Sequence, residues 1–169
     1  MKIIEAMKEL RLIEKKIATN CTRITQYASA VSTEKLPFGS EEDQRSEVKS
    51  LVQANADLFA RYLELKQRIE QTNLITRVKL AGKEWSISQL LVIRRKLGQP
   101  MLATYNSLND REARSRMRSA VSGVEGKGVH VIQLYDEREK NERLNYWQDF
   151  LESIDARLEV VNATTELSD

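Results

Sequence analysis

The sequence predicts a mainly α-helical fold: a long antiparallel coiled-coil hairpin within a helical bundle, with a small β-hairpin. Three observations support it. The 169 residues include only six glycines and two prolines, and 31% are charged, a balance that favours long helices. Two stretches repeat apolar residues at heptad spacing, and these stretches match when they are paired antiparallel. The length suits a single domain with a sizeable core.

The first seam lies in residues 3–31 and the second in residues 48–72. The first consists of Ile3, Ala6, Leu10, Ile13, Ile17, Asn20, Ile24, Tyr27 and Val31. The second consists of Val48, Leu51, Asn55, Leu58, Tyr62, Leu65, Ile69 and Thr72. Antiparallel pairing gives opposite residues whose numbers sum to 75, which places the turn near Pro37-Phe38. Asn20 then faces Asn55, and an amide pair in an apolar seam fixes the register because any slip buries an amide against hydrocarbon.

The hairpin elements follow from this pairing. The first helix is predicted over about 2–31, and the segment 32–39 contains the breakers of a loop. Ser40 with Asp43 is a typical N-cap, so the second helix is predicted over about 41–73.

Alternation replaces the helical period in residues 75–87, which predicts a β-hairpin around Ala81-Gly82-Lys83. Ser86 and Gln89 form a capping box that opens a third helix over about 87–107. The sequence Gly98-Gln99-Pro100 predicts a break or kink within it.

The remaining chain divides into three predicted segments. Residues 109–128 are rich in Arg, Ser and Gly and are predicted to be an irregular loop. Residues 129–134 are a candidate third strand, with His130 as a core or edge residue within it. Asp136 with Glu139 caps a fourth helix predicted over about 137–162.

A second apolar stripe lies beside the seam of the second helix. Its members are Val52, Ala56, Phe59 and Leu63. Because a bundle needs such a stripe and a two-stranded coiled coil does not, this flank is expected to carry the other helices, with Cys21 as a small buried residue. Packing within one chain is also expected to leave other apolar side chains uncovered, which favours a homo-oligomer. These side chains are Ile4, Leu12, Tyr146 and Phe150.

A basic run is the first candidate binding site, for RNA, single-stranded DNA or another anion. It comprises Arg111, Arg114, Arg116, Arg118 and Lys127, with Arg77, Lys79 and Lys83 as further contributors. Arginines on irregular backbone can contact phosphates, but no aromatic residues interleave for base stacking. A solvated loop that orders against a neighbouring subunit is the alternative interpretation.

The ends of the second and fourth helices share the pattern R-[IL]-E-x-x-N-x-x-T. The members are Arg68, Glu70, Asn73 and Thr76 in one copy and Arg157, Glu159, Asn162 and Thr165 in the other. A common helix stop explains the Asn and Thr, since Asn tolerates a left-handed C-terminal conformation. The matched Arg and Glu keep open a second interpretation, a pseudo-symmetric site.

Several segments resemble a known family. They are the start MKIIEAMKELRLIEKKI, the segment RIEQTNLITR before a Gly turn, the pair Arg94-Arg95, and NATTEL near the C-terminus. The chain resembles the conserved hypothetical bacterial proteins of the septicolysin-annotated, DIP-type family, although Ala163 stands where that family has Trp. The resemblance implies a helical bundle with a small β element and no established activity.

The sequence contains no strong catalytic or metal-binding pattern. Glu139-x-x-Glu142 and Glu152-x-x-Asp155 lie about 20 Å apart on one predicted helix, so they cannot share a metal within one chain. The lone thiol and the absence of a signal-like apolar start suit a reducing cytoplasm, and a net charge of +2 gives no global attraction to membranes. We therefore expect a non-enzymatic, cytoplasmic scaffold without a cofactor or metal, with a metal-dependent inter-subunit enzyme as the weaker alternative.

Overall fold

The computed structural model describes residues 1–121 and 128–168. The fold is mainly helical with one two-stranded antiparallel sheet, so the predicted fold class is confirmed. In chain order the elements are α1 (Ile3–Tyr27), α2 (Glu41–Ile75), β1 (Arg77–Leu80), β2 (Lys83–Ser86), α3 (Ile87–Val92), a π turn (Ile93–Leu97), α4 (Gly98–Asn106), α5 (Arg111–Val121) and α6 (Glu137–Thr164). Two compact units comprise Met1–Thr76 with Glu159–Asp169, and Arg77–Leu158.

In the first unit, α1 and α2 form the antiparallel hairpin. Asn20 Nδ2 donates to Asn55 Oδ1 at 2.9 Å, which confirms the predicted register at its polar layer. The seam is buried near the chain termini, at Ile3, Ala6, Leu10, Ile13, Leu65 and Ile69. Toward the loop it is half-buried at Ile17, Ile24 and Leu58, although Leu51 there is buried. Most of the core of this unit therefore lies at the base of the hairpin.

The first helix ends at Tyr27, four residues before the predicted end at Val31. Gln44 is buried, and its Nε2 donates to the Tyr27 carbonyl oxygen at 2.9 Å, so α2 satisfies one of the orphan carbonyls at the end of α1. Val31 is exposed and takes no part in the seam. Ser40 caps α2 as predicted, since its side chain accepts from the Asp43 amide at 3.1 Å.

The C-terminal residues pair with the start of the chain at the base of the hairpin. The Ile3 amide donates to the Thr165 carbonyl at 3.0 Å, and the Leu167 amide donates to the Met1 carbonyl at 2.8 Å. The Ser168 amide donates to the buried Thr72 hydroxyl at 2.9 Å, so this segment also bonds to α2. Hydrogen bonds therefore join the N-terminus, the C-terminal residues and α2 at the base of the hairpin.

In the second unit, β1 and β2 form the predicted hairpin, with Arg77 opposite Ser86. Its turn uses Ala81 and Gly82, both at positive φ (49° and 74°), the backbone twist that two-residue hairpins prefer. The predicted capping box is present: Gln89 N donates to Ser86 Oγ at 3.1 Å, and Ser86 N donates to Gln89 Oε1 at 2.8 Å.

The interruption predicted near Gly98-Gln99-Pro100 is a π turn that ends at Leu97, directly before α4. Gly98 is buried, and a Cβ placed there would lie 2.5 Å from Leu151 Cδ2 of α6. The glycine therefore allows a close approach of α4 to α6, and a larger residue there would force the Leu151 side chain to shift.

Two predictions for residues 109–134 are wrong. Residues 111–121 of the predicted loop form α5. The start of this helix is stabilised by Asn109, whose Oδ1 accepts from the Arg111 amide at 3.1 Å, and by an ion pair of 2.6 Å between Asp110 and Arg114. The candidate strand at 129–134 is not a strand, and Leu134 is 91% exposed. A strand is stable only when it pairs with other strands and packs against an apolar surface, so an apolar sequence alone does not produce one.

Candidate functional site

One flank of the hairpin carries a surface that the chain leaves open. It is formed by small residues of α1 and larger apolar residues of α2, and we call it the front face: Ala18, Cys21, Thr25 and Ala28 with Val52, Ala56, Phe59 and Leu63. Two contacts show that these positions share a side. Tyr62 Oη donates to Glu14 Oε1 at 3.0 Å, and Asn55 Nδ2 lies 3.6 Å from Cys21 Sγ.

All eight residues of the front face are exposed to solvent. Phe59 is 59% exposed, Val52 53% and Leu63 52%, and together they lie along one side of the middle third of α2. Cys21 is exposed as well, so the expectation that it is a small buried residue is wrong. Contiguous exposed apolar side chains are commonly found where proteins bind a partner.

The opposite flank of the hairpin is charged. Arg23 pairs with Glu47 at 2.7 Å, and Arg61 pairs with Glu9 at 3.0 Å, so both ion pairs cross from α1 to α2. Arg61 also reaches Glu64 at 3.0 Å, and the hydrogen bonds to Glu9 and Glu64 raise the pKa of its guanidinium. This flank is solvated and internally paired, in contrast to the front face.

Charged residues border the front face near the base of the hairpin. Arg11 and Glu14 lie on α1, and Lys66 and Glu70 lie on α2. Lys66 and Glu70 pair at 3.4 Å. The hydrogen bond to Glu14 raises the pKa of the Tyr62 phenol. The face therefore has an apolar middle and a mixed-charge end.

The arginines of the basic run lie on α5 instead of a loop. Arg111, Arg114 and Arg118 are three and four residues apart, which places them on one side of the helix, and Arg116 lies elsewhere on it. All four are exposed, and Arg114 is paired with Asp110. Lys127 lies outside the described residues. The exposed residues Arg77, Lys79 and Lys83 belong to the β-hairpin.

The structure shows separate roles for members of the repeated R-[IL]-E-x-x-N-x-x-T pattern. Arg68 Nε donates to the Ser168 carbonyl at 2.9 Å, and Thr76 is the C-cap of α2. Among the described residues, Asn73 Oδ1 is buried without a hydrogen-bond partner. In the second copy, the Thr165 carbonyl accepts from Ile3, and Glu159 and Asn162 lie on the last turns of α6. Arg157 belongs to the second unit, and the pseudo-symmetric site stays a prediction.

The acidic pairs and the histidine are not assembled into a reactive centre within the part of the chain that the structure describes. Glu142 pairs with Arg138 at 3.0 Å, and Asp155 pairs with Arg94. His130 is exposed, with Nδ1 3.3 Å from the Gly128 carbonyl, so its predicted place as a core or edge residue of a strand is wrong. Residues 1–121 and 128–168 contain no group of three metal-ligating side chains and no helix long and apolar enough to cross a membrane.

Of the other apolar positions expected to be open, Leu12 is 51% and Tyr146 46% exposed. Phe150 is only 5% exposed, which corrects the prediction: it packs against Trp85, Tyr146 and Trp147, with ring centroids 5.7–5.9 Å apart.

No protein-family model, curated protein or solved structure matches the chain. The resemblance to the septicolysin-annotated, DIP-type family therefore stays a prediction from the sequence.

Proposed function

We propose that the protein is a non-enzymatic binding or scaffold protein of the cytoplasm that acts as a homo-oligomer through the front face of its coiled-coil hairpin. The observation that carries the proposal is the exposure of Phe59 in the middle of that face, between Val52 and Leu63. Complete burial of a fully exposed side chain of this size contributes about 1.5–3 kcal/mol, and because these three are a little more than half exposed, roughly half of that is left for each to gain on association.

The chemistry of the rest of the surface supports binding over catalysis. Two of the pKa shifts on the hairpin have local causes: a salt bridge at Arg61 and a carboxylate neighbour at Tyr62. Arg61 lies on the charged flank and Tyr62 beside the front face, and each bonds from α2 to α1. One flank of the hairpin has its charges neutralised by ion pairs, and the other is apolar. An apolar helical surface of this kind can bind the apolar side of another helix.

The mass of the full chain in solution tests the proposal. Light scattering across micromolar concentrations should give a multiple of 19.5 kDa, the mass of one chain. A 19.5 kDa particle that persists at the highest soluble concentration would overturn the homo-oligomer proposal.

Nucleic-acid binding is the second candidate, and the arrangement of α5 favours it. Arg111, Arg114 and Arg118 lie on one side of the helix, where they can follow a phosphate backbone. Retention on heparin or RNA should fall steeply with salt and be lost when Arg114, Arg116 and Arg118 are changed to Ala. Arg61→Ala, which removes an arginine from the hairpin flank, is the matched control. No retention at low salt would eliminate this candidate.

A further inference from the structure

Residues 129–134, shortly before α6, form an apolar segment that lies outside the helices and strands. Val129 is 57% exposed, Ile132 69% and Leu134 91%. Within residues 1–121 and 128–168, no backbone–backbone hydrogen bond involves an N–H or C=O group of this segment. Its composition favours a strand, and its backbone groups are available for pairing.

The β1–β2 sheet has an open edge that can accept such a strand. Its turn has two residues, so Leu80 and Lys83 form a hydrogen-bonded pair, and such pairs alternate along the strands. The N–H and C=O groups of Arg77 and Lys79 therefore point away from β2. Among the described residues, the backbone of neither forms a hydrogen bond to a group outside the sheet. A free edge of this kind is a template for an added strand.

We propose that residues 129–134 of one copy of the chain pair with the β1 edge of a second copy as a third strand, and that the exchange is reciprocal about a twofold axis. Within the described part of one chain, the sheet has two strands, and the segment is not one of them. A second copy supplies the edge that the segment lacks and receives a strand in return, so the exchange satisfies both chains. The contact involves neither α1 nor α2 and goes beyond the proposed function.

The alternation of side chains along β1 supports this pairing. Val78 is 2% exposed and faces the interior, whereas Arg77 and Lys79 are exposed. An added strand whose odd-numbered residues bond to Arg77 and Lys79 places its even-numbered side chains on the face of Val78. Ile132 and Leu134, the most exposed apolar side chains of the segment, then lie on the apolar face of the sheet.

The charges on β1 favour the same pairing. In this arrangement the odd-numbered residues, including the polar Gln133, lie on the face of Arg77 and Lys79, where the two cations stay in solvent. A shift by one residue would turn Gln133 to the apolar face and place Ile132 and Leu134 beside the cations. Charged side chains on an edge strand thus discourage the register that leaves the apolar residues in solvent.

Aspartate variants of the full chain test the contact, and all carry Phe59→Arg so that the front face does not contribute. The Phe59→Arg chain itself should still dimerise in sedimentation velocity. Adding Ile132→Asp should raise the dimer dissociation constant at least about 100-fold, because the exchange uses each residue twice. Gln133→Asp is the matched control: it adds the same charge one residue away, on the face of the cations, and should leave the dimer intact. Residues 132 and 133 are exposed and outside the helices and strands, so neither change removes core packing.

Mixing two variants in the same background tests the exchange itself. Lys79→Pro removes an outward-facing N–H from the edge, a position where an edge strand tolerates proline. This variant and Ile132→Asp should each be monomeric. Their equimolar mixture should form a heterodimer with a dissociation constant roughly tenfold above that of the parent, because one of the two strand–edge contacts is intact in it. Unchanged far-ultraviolet circular dichroism verifies that each variant folds.

The failures of the two proposals are distinguishable. A wild-type monomer overturns the homo-oligomer proposal and this inference together. A monomeric Phe59→Arg chain beside an associating wild type overturns the inference alone, as does a dimer that withstands Ile132→Asp or a mixture that stays monomeric. If Phe59→Arg associates as tightly as the wild type and Ile132→Asp dissociates it, the exchange stands and the front face is not the contact.

Discussion

Asn20 and Asn55 form a side-chain hydrogen bond of 2.9 Å across the apolar seam of the α1–α2 hairpin. Asn55 accepts this bond through Oδ1, and its Nδ2 lies 3.6 Å from Cys21 Sγ. An amide pair in a seam contributes less than apolar packing, but it penalises every register that separates the two amides. This pair therefore fixes which residues of α1 and α2 lie on the front face.

Replacing both asparagines with leucine should raise the free energy of unfolding by about 1 kcal/mol, because apolar side chains replace a half-buried polar pair. The same change should loosen the register of the hairpin. Urea denaturation measures the first effect, and the single variant Asn20→Leu is the control: it should be destabilised, since Asn55 loses its partner. A double variant less stable than the wild type would show that the pair stabilises the seam beyond fixing its register.

Gly98→Ala should destabilise the chain by about 1–2 kcal/mol, because the added methyl meets Leu151 Cδ2 and the cost exceeds the gain in helix propensity. Leu151→Ala opens the space, so the two changes together should cost less than the sum of their separate effects. A double-mutant cycle in thermal unfolding measures the coupling. Additive effects would mean that α4 and α6 adjust without strain.

Ser86→Ala should cost about 1 kcal/mol, because Ser86 Oγ accepts from the Gln89 amide at the start of α3. Gln89→Ala should cost less, as it removes only the reciprocal bond to the Ser86 amide. The midpoint of chemical denaturation reports both. Ser88→Ala in the same helix serves as a control, with an expected effect near zero.

The raised pKa of Tyr62 implies that the stability of the fold depends on pH in the alkaline range. Glu14 favours the neutral phenol in the folded chain, so this contribution to stability is present below the ordinary tyrosine pKa of about 10 and is lost as pH rises through the higher folded value. The difference in absorbance titration between wild type and Tyr62→Phe isolates this residue. The midpoint of the Tyr62 titration should fall in the variant Glu14→Gln. It should not change in the control Glu64→Gln, which removes a nearby carboxylate that bonds to Arg61 and not to Tyr62.

Local signals in the sequence predicted the elements well where the chain carries repeated or paired information. The two heptad seams, the Ser40 cap, the Ser86–Gln89 capping box and the Ala81-Gly82 turn are present in the structure. Each depends on residues within a few positions of one another or on a repeat long enough to define a register.

Most of the errors concern what a segment packs against. Residues 129–134 are as apolar as a strand but have no strand partner among the described residues. The arginine-rich segment is a different case, because Asn109 Oδ1 accepts from the Arg111 amide at the start of α5, a short-range interaction. Cys21 and Phe59 lie on a stripe that one chain leaves uncovered, whereas Phe150 is covered by an aromatic cluster. Composition alone does not distinguish a stripe that faces the same chain from one that faces another.

The sequence by itself determined the helical hairpin, its register through Asn20 and Asn55, and the β-hairpin, because these depend on periodicity and short-range hydrogen bonds. Only the tertiary structure decided where α1 ends, through Gln44, and how closely Gly98 approaches Leu151. It also decided that the stripe around Phe59 is exposed. Burial depends on which surfaces meet in space, and that is where the proposed function of this chain lies.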